Sequence, residues 1–300
     1  MDGELWHRLY RLIEDLATRH AQNPAKEFGD ATVVATYAWS VLHDRPVSWA
    51  CDPANWLQAP QTLRPAAIPS QPTMSRRLRH DEGVRRFLAE LEQTLAGALW
   101  LCGLCLYRLL DAKPLPVGRY SKDPDAAVGH GAGGIDRGYK AHTLWHTAPV
   151  PVWEVRPMNV AEQTVALRLV GRVGADDGGG GGYVLADKGY DSARVHRRCA
   201  AHGLQLLAPP QRPRGAGRGH GPQDPHRRHA LEMLRRPMGQ DLRRLRYQVE
   251  QRFGHLCSFG GGLSPLPSWV RRLRRVRQWV QMKLIINALR IQRVLERQAA

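Results

Sequence analysis

The sequence predicts an α/β protein, a mixed sheet with helices packed on it, preceded by a helical region. Three observations carry this. Apolar residues recur at helical spacing through the first hundred residues. From about Leu104 the texture changes to short apolar runs suited to strands. These strands come first as a meander and then alternate with helices, the order of a mixed α+β sheet. The expected division is a helical region over 1–100 and a sheet-bearing region over 101–300 that ends in basic helices.

The elements follow in order. Leu5, Leu9, Leu12 and Leu16 share one helix face. Asp30 stands where an N-cap would open an apolar helix to His43, stopped by Asp44-Arg45-Pro46. A Pro-rich connector over 59–69 leads to Ser70, and Pro72 marks the start of a helix carrying Ser75, Arg76 and Arg79. A longer helix spans 81–97. Strands are expected over 104–110, 140–146, 150–155, 183–186 and 204–208, with helices over 161–173 and 192–202. Gly178 to Gly182 reads as a turn, and the Pro-, Gly-, Arg- and His-rich stretch 209–230 as a loop. Helix resumes near Met238 and again near Ser268. In the last helix Trp269, Leu273, Val276, Val280 and Leu284 form one stripe, leaving Arg271, Arg272, Arg274 and Arg275 on the other side.

Composition narrows the function. Hydrophobic residues make up 43% of the 300, which excludes a disordered tail, and the net charge of +17 points to a polyanionic partner. The charge is concentrated. Residues 211–300 hold 20 basic and 5 acidic side chains, a balance of +15, whereas the first 210 are nearly neutral at +2. Nucleic acid is the expected partner, with an anionic membrane surface second. The five cysteines, Cys51, Cys102, Cys105, Cys199 and Cys257, are scattered; one CxxC pair is too few ligands for a structural zinc site, and buried thiols in a reducing cytoplasm are the simpler reading. The charged first helix lacks the apolar core of a signal peptide, and the longest apolar run, 95–107, is too short to span a bilayer.

Three acidic residues stand out by position. Asp111 is expected to end a strand, Asp187 ends another and opens Asp187-Lys188-Gly189-Tyr190-Asp191, and Glu250 lies on a helix within the stretch from Arg246 to Phe253. Carboxylates from two strand ends and a facing helix can converge, and crowded carboxylates repel unless a cation separates them. Their hard oxygens favour Mg²⁺ or Mn²⁺. Two such ions roughly 4 Å apart suit phosphodiester chemistry. Asp123, Asp125, Asp136 and Asp191 are competing ligands. His196, Cys199 and His202 recur every third residue and read as a solvated helix face, and Lys140 and His142 read as solvent-facing strand positions.

These pieces in order, Asp111 with its strand, Gly138 to His142, Asp187 to Asp191 and Arg246 to Phe253, resemble the signature of bacterial insertion-sequence DDE transposases. The resemblance covers roughly 105–295 and implies a ribonuclease-H-like catalytic core. It implies that Asp111, Asp187 and Glu250 form the catalytic, metal-binding triad, within roughly 4 to 8 Å of one another if they flank two ions. Arg246 matches the arginine four residues before the glutamate. Arg243 stands where relatives often carry Tyr, and Cys257 where they often carry Lys. The implied activity is metal-dependent cleavage and strand transfer at element ends, in the cytoplasm on the nucleoid, by a homo-oligomer on double-stranded DNA. Arg246, Arg243, Arg271, Arg274, Arg275 and Arg76 are the expected DNA contacts, Arg76 from a possible helix-turn-helix. The alternatives are a catalytically defective DNA-binding protein derived from a transposase and a nuclease that cuts without joining.

Overall fold

The computed structural model describes residues 3–19, 25–97, 106–146, 148–173, 181–211, 224–258, 263 and 266–299. The Cys102–Cys105 pair, most of the glycine turn before Tyr183 and the stretch 212–223 lie outside them. The chain divides into two compact units, Met1–Leu99 with Leu256–Ala300, and Trp100–His255.

The first unit is helical. It opens with α1 (Gly3–Ala17), α2 (Asp30–Leu42), the single turn α3 (Val47–Ala50), α4 (Gln71–His80) and α5 (Glu82–Gly97). α1 buries Leu5, Trp6, Leu9, Tyr10, Ile13 and Leu16, the stripe expected of an amphipathic helix. α2 is buried continuously from Val33 to Val41. Trp6, Trp39 and Trp56 meet between them, with Trp6 and Trp56 at ring distances of 4.7 and 4.9 Å from Trp39. Asp30 does not cap α2. Gly29 occupies the N-cap position, and Asp30, the first helical residue, accepts hydrogen bonds from Lys26 and Arg77 instead. The Arg77–Asp30 pair ties α4 to the start of α2, and Arg77 also pairs with Asp81 at the end of its own helix.

The second unit is built on six strands: β1 (Tyr107–Pro116), β2 (Ala127–Gly131), β3 (Gly134–Trp145), β4 (Val152–Pro157), β5 (Gly182–Leu185) and β6 (Leu204–Leu207). The sheet order is β2-β3-β1-β5-β6, with β4 also paired to β3. β3 pairs antiparallel with β1 on one side; its other edge is shared by β2 and β4. β1, β5 and β6 run parallel. Into this sheet are woven α6 (Glu162–Arg172) and α7 (Ala193–Ala200), and after β6 come α8 (Pro225–Arg235), α9 (Pro237–Arg244) and α10 (Tyr247–Cys257). This is a mixed α/β fold of the kind a ribonuclease-H-like transposase core requires.

Three elements differ from expectation. β1 does not stop at Asp111 but continues to Pro116, because β3 pairs with it from Leu109 to Pro116 while its pairing with β5 ends at Leu109. β2, absent from the sequence reading, pairs with the first residues of β3 as a glycine-rich hairpin. α8 begins inside the supposed loop, with Asp224 as N-cap accepting from the His226 N–H and Pro225 in the first turn.

Register assigns side chains to faces, since opposite residues in a ladder point the same way. Leu110, Leu144, Val184 and Ala186 bury against Val165, Leu169 and Val170 of α6 and Val195 and Cys199 of α7. His142 and Lys140, two and four residues before Leu144, share this face, and both are buried rather than solvated. Lys140 is neutralised there by Glu162 at 2.6 Å. The other face carries Asp111, Lys113, Thr143 and Trp145, and α10 crosses it: Phe253 packs edge-on against Trp145 at 6.2 Å and lies under the Lys113 ammonium. Gly138, opposite Pro116, is required by close approach, because a Cβ there would stand 2.3 Å from the Leu115 carbonyl oxygen.

The chain then returns to the helical unit with α11 (Leu273–Ala299). The helix begins at Leu273 rather than near Ser268, so Trp269 of the expected stripe precedes it and is exposed, and Leu273 is half-buried. Val276, Val280 and Leu284 are buried as expected, joined by Ile285, Ala288 and Leu289. These residues complete the core that α1, α2 and α5 begin, so the last helix belongs with the first hundred residues rather than with the sheet. Lys283 is fully buried in it and pairs with Asp44, its ammonium 5.0 Å from the Trp279 ring. Among the described residues no helix is long and apolar enough to cross a membrane.

Candidate active site

Asp111 sits where β1 leaves β5 and continues beside β3 alone. Its Oδ1 accepts from the Ala112 N–H at 2.8 Å and its Oδ2 from Arg246 at 3.1 Å, while Thr143 Oγ1 donates to its carbonyl at 3.3 Å. Burial pushes the carboxyl up to about 6; the Ala112 N–H and Arg246 oppose the rise, and Asp187 and Glu162 add to it. The last two effects show that Asp111 feels two other carboxylates.

Asp187 lies two residues past the end of β5. It caps the 3₁₀ turn Lys188–Tyr190, its Oδ1 accepting from the Gly189 N–H at 2.8 Å. Gln163 of α6 clamps the same turn by donating to the Gly189 carbonyl at 2.8 Å. A Cβ on Gly189 would stand 3.0 Å from Asp187 Oδ1 and 3.7 Å from Glu162 Oε2, so both carboxylates crowd this one backbone position. Tyr190, at the end of the turn, is fully buried, and its hydroxyl has no hydrogen-bond partner among the described residues. Burial raises its pKa well above the usual phenol value, with Glu162, Asp111 and Asp187 adding to the rise and Arg246 opposing it. The phenol therefore stands in the field of the same three carboxylates and one guanidinium.

Arg246 immediately precedes α10, and Glu250 lies four residues further on, in its first turn. Glu250 is exposed, while Val249 and Phe253 on either side of it are buried. The arrangement thus brings together Asp111, Asp187 and Arg246 of the residues singled out in the sequence. Among the described residues no three His, Cys, Asp or Glu side chains stand as a group that could hold a metal ion, so Glu250 does not close a three-carboxylate cage here. The donor chemistry nonetheless suits a hard cation at Asp111 and Asp187. A half-buried carboxylate whose pKa is raised chiefly by burial is relieved by positive charge, a role now filled in part by Arg246.

The competing acids have structural partners. Asp123 accepts from the Tyr139 hydroxyl at 2.7 Å. Asp191 is held by His196 at 3.1 Å, Arg227 at 2.7 Å and the Gln211 N–H at 2.9 Å. His196 and Cys199 are buried, not solvated, because α7 turns that face onto the sheet. Of the predicted DNA contacts, Arg243 and Arg76 are exposed and Arg275 is exposed in the first turn of α11. Arg274 is half-buried, and Arg271 spends one nitrogen on the Pro267 and Val270 carbonyls at 2.6 and 2.9 Å. Sequence reasoning missed Glu162 and the Tyr190 hydroxyl. Glu162 reads in the sequence as an ordinary acidic residue of a helix first turn, and nothing local marks it as a neighbour of Asp187.

The mixed sheet thus carries one aspartate on β1 and a second just past the neighbouring β5, with Arg246, from the residue before α10, on the first of them. The chain belongs to the transposase DDE domain family, whose model matches residues 107–287, more than half of its length. No curated protein and no solved structure matches it.

Proposed function

We propose that the protein cuts DNA at the ends of a mobile element and joins the freed 3′-OH to target DNA, with Asp111, Asp187 and Glu250 as its catalytic carboxylates. The observation that supports this best is that Asp111 lies two residues past the last β1–β5 pair and Asp187 two residues past the end of β5, with Arg246 on the Asp111 carboxylate. Mg²⁺ or Mn²⁺ would be held by Asp111 and Asp187, with Glu250 approaching from α10. When bound, such ions activate the attacking oxygen and stabilise the leaving one. The chain's own residues set the stage. The Ala112 and Gly189 N–H groups fix the rotamers of Asp111 and Asp187. Arg246 can exchange its carboxylate partner for a phosphate oxygen, and Arg243 lies exposed one helical turn before it. Arg76, Arg271, Arg274 and Arg275 would contact DNA in the helical unit. The enzyme would work as a homo-oligomer on double-stranded DNA in the cytoplasm.

The test is a set of single substitutions, Asp111→Asn, Asp187→Asn and Glu250→Gln, in two assays. Cutting of element ends should fall to background in each while duplex binding persists. The rise in melting temperature caused by Mn²⁺ should disappear in Asp111→Asn and Asp187→Asn. A protein that binds element ends but never cuts, and whose melting ignores Mn²⁺, would instead be the catalytically defective relative. Cys257 and Arg243, in place of the family's frequent Lys and Tyr, keep that second reading in view.

A further inference from the structure

The helical unit contains a cavity of about 740 Å³ that none of the carboxylate chemistry uses. Five arginines line it: Arg45 after α2, Arg79 of α4, Arg272 before α11, and Arg274 and Arg275 in its first turn. Among the described residues no acidic side chain lines it. Gln71, Ser75 and Arg79, spaced by four residues along α4, present one face to it. The opposing wall includes Trp269, 38% exposed, and Trp279, whose buried indole N–H has no acceptor among the described residues. Arg272 holds a φ of 73°, a left-handed conformation that glycine would adopt more easily. The Arg274 guanidinium is destabilised by burial and then by Arg85 and Arg79 nearby. Glu82 opposes that effect on Arg274, and Arg79 and Arg275 are exposed.

We propose that this cavity is a binding site for consecutive backbone phosphates of a DNA strand, formed jointly by α4 and the start of α11. Like charges packed this closely are stabilised by an anion of matching spacing, and arginine forks suit phosphate oxygens. The hydroxyl and amide groups of Ser75 and Gln71 add neutral donors, and Trp269 offers an apolar face for the sugar or base edge. The inference rests on DNA being the substrate but assigns the contact to a place. Arg76 is not among the residues that line the cavity, so the α4 contact made there runs through the Gln71–Ser75–Arg79 edge.

The experiment measures duplex binding against salt for the full chain and for Arg79→Gln/Arg275→Gln. Each phosphate contact contributes on the order of 0.9 to the slope of log affinity on log salt. The double variant should lose roughly 2 from that slope, with an unchanged melting temperature. Arg79→Lys/Arg275→Lys should restore most of it. An unchanged slope in the glutamine variant overturns the proposal, as does a loss of slope equalled by Arg76→Gln alone. Anionic vesicles that bind the wild type as salt-dependently as duplex does, and lose binding equally in the variant, would also overturn it by making a membrane surface the occupant. Cleavage is scored separately in the same proteins. If the wild type cuts DNA but the slopes agree, the cavity assignment fails and the transposase reading survives. If the slopes differ but nothing is cut, the cavity assignment stands alone.

Discussion

His142 shows how a single buried side chain sets a pH dependence. It lies on the α6 side of β3, 1% exposed, with neither ring nitrogen hydrogen-bonded among the described residues. Burial lowers its pKa from 6.5 to about 4, with Lys140 reinforcing the shift and Glu154 opposing it. The folded protein therefore keeps the ring neutral while the unfolded chain protonates first. Its contribution is intact above pH 6.5 and is lost as pH falls toward 4. At 1.36 kcal/mol per unit this is on the order of 3 kcal/mol. Denaturant unfolding at several pH values should show that His142→Leu flattens the stability profile between pH 6.5 and 4. Parallel profiles for the two proteins would mean the imidazole is solvated. The same scale explains what the motif could and could not reveal about the site. Asp111 and Asp187 are legible because their flanking residues form a recognisable pattern. Glu162 and the Tyr190 hydroxyl are not, because only the packing of α6 against the Lys188–Tyr190 turn brings them to the aspartates.

At the scale of the element, β1 and β3 govern the site. Asp111-Ala112-Lys113-Pro114 reads locally as a strand end, yet the ladder to β3 carries it as strand through Pro116, since Pro114 needs no N–H where only one neighbour pairs. β2 was hidden for a related reason. Gly129, Gly131, Gly133 and Gly134 suggest a loop, and only the partner strand makes a hairpin of them. α8 did carry a signal, Asp224-Pro225, but the surrounding Pro, Gly and Arg masked it. The amphipathic helices were easier to read because their period is local. The tight joint between β1 and β3 is Gly138, where any Cβ would meet Leu115 backbone rather than a movable side chain. Gly138→Ala should therefore cost roughly 1–3 kcal/mol by overpacking. Because the displaced strand is the one that holds Asp111, it should also weaken cutting beyond what the loss of folded protein explains. A melting temperature within error of wild type would show that β1 can shift freely.

At the scale of the molecule, the helical unit is discontinuous in sequence. α1, α2 and α5 share their core with α11, and Lys283 of α11 pairs with Asp44 of the N-terminal part. A fragment of residues 1–100 lacks about 45 residues of its own unit. It should not fold alone, whereas a chain with 256–300 joined to 1–99 by a flexible linker should give a cooperative helical melt. Circular dichroism of the two proteins decides this, and a stable fragment of 1–100 would refute it. The uneven charge follows the same map. The +15 of residues 211–300 is divided between the two units, so the arginines of α11 act beside a nearly neutral N-terminal part.

The cavity in the helical unit takes Arg45 and Arg79 from early in the chain and Arg272, Arg274 and Arg275 from some two hundred residues later. On the ribosome its two walls are therefore made at different times. The sheet that holds Asp111 and Asp187 can be complete while the cavity is still half-built. A nascent or prematurely terminated chain would own the carboxylates without the phosphate grip, and could neither hold DNA there nor occupy an element end against a finished copy.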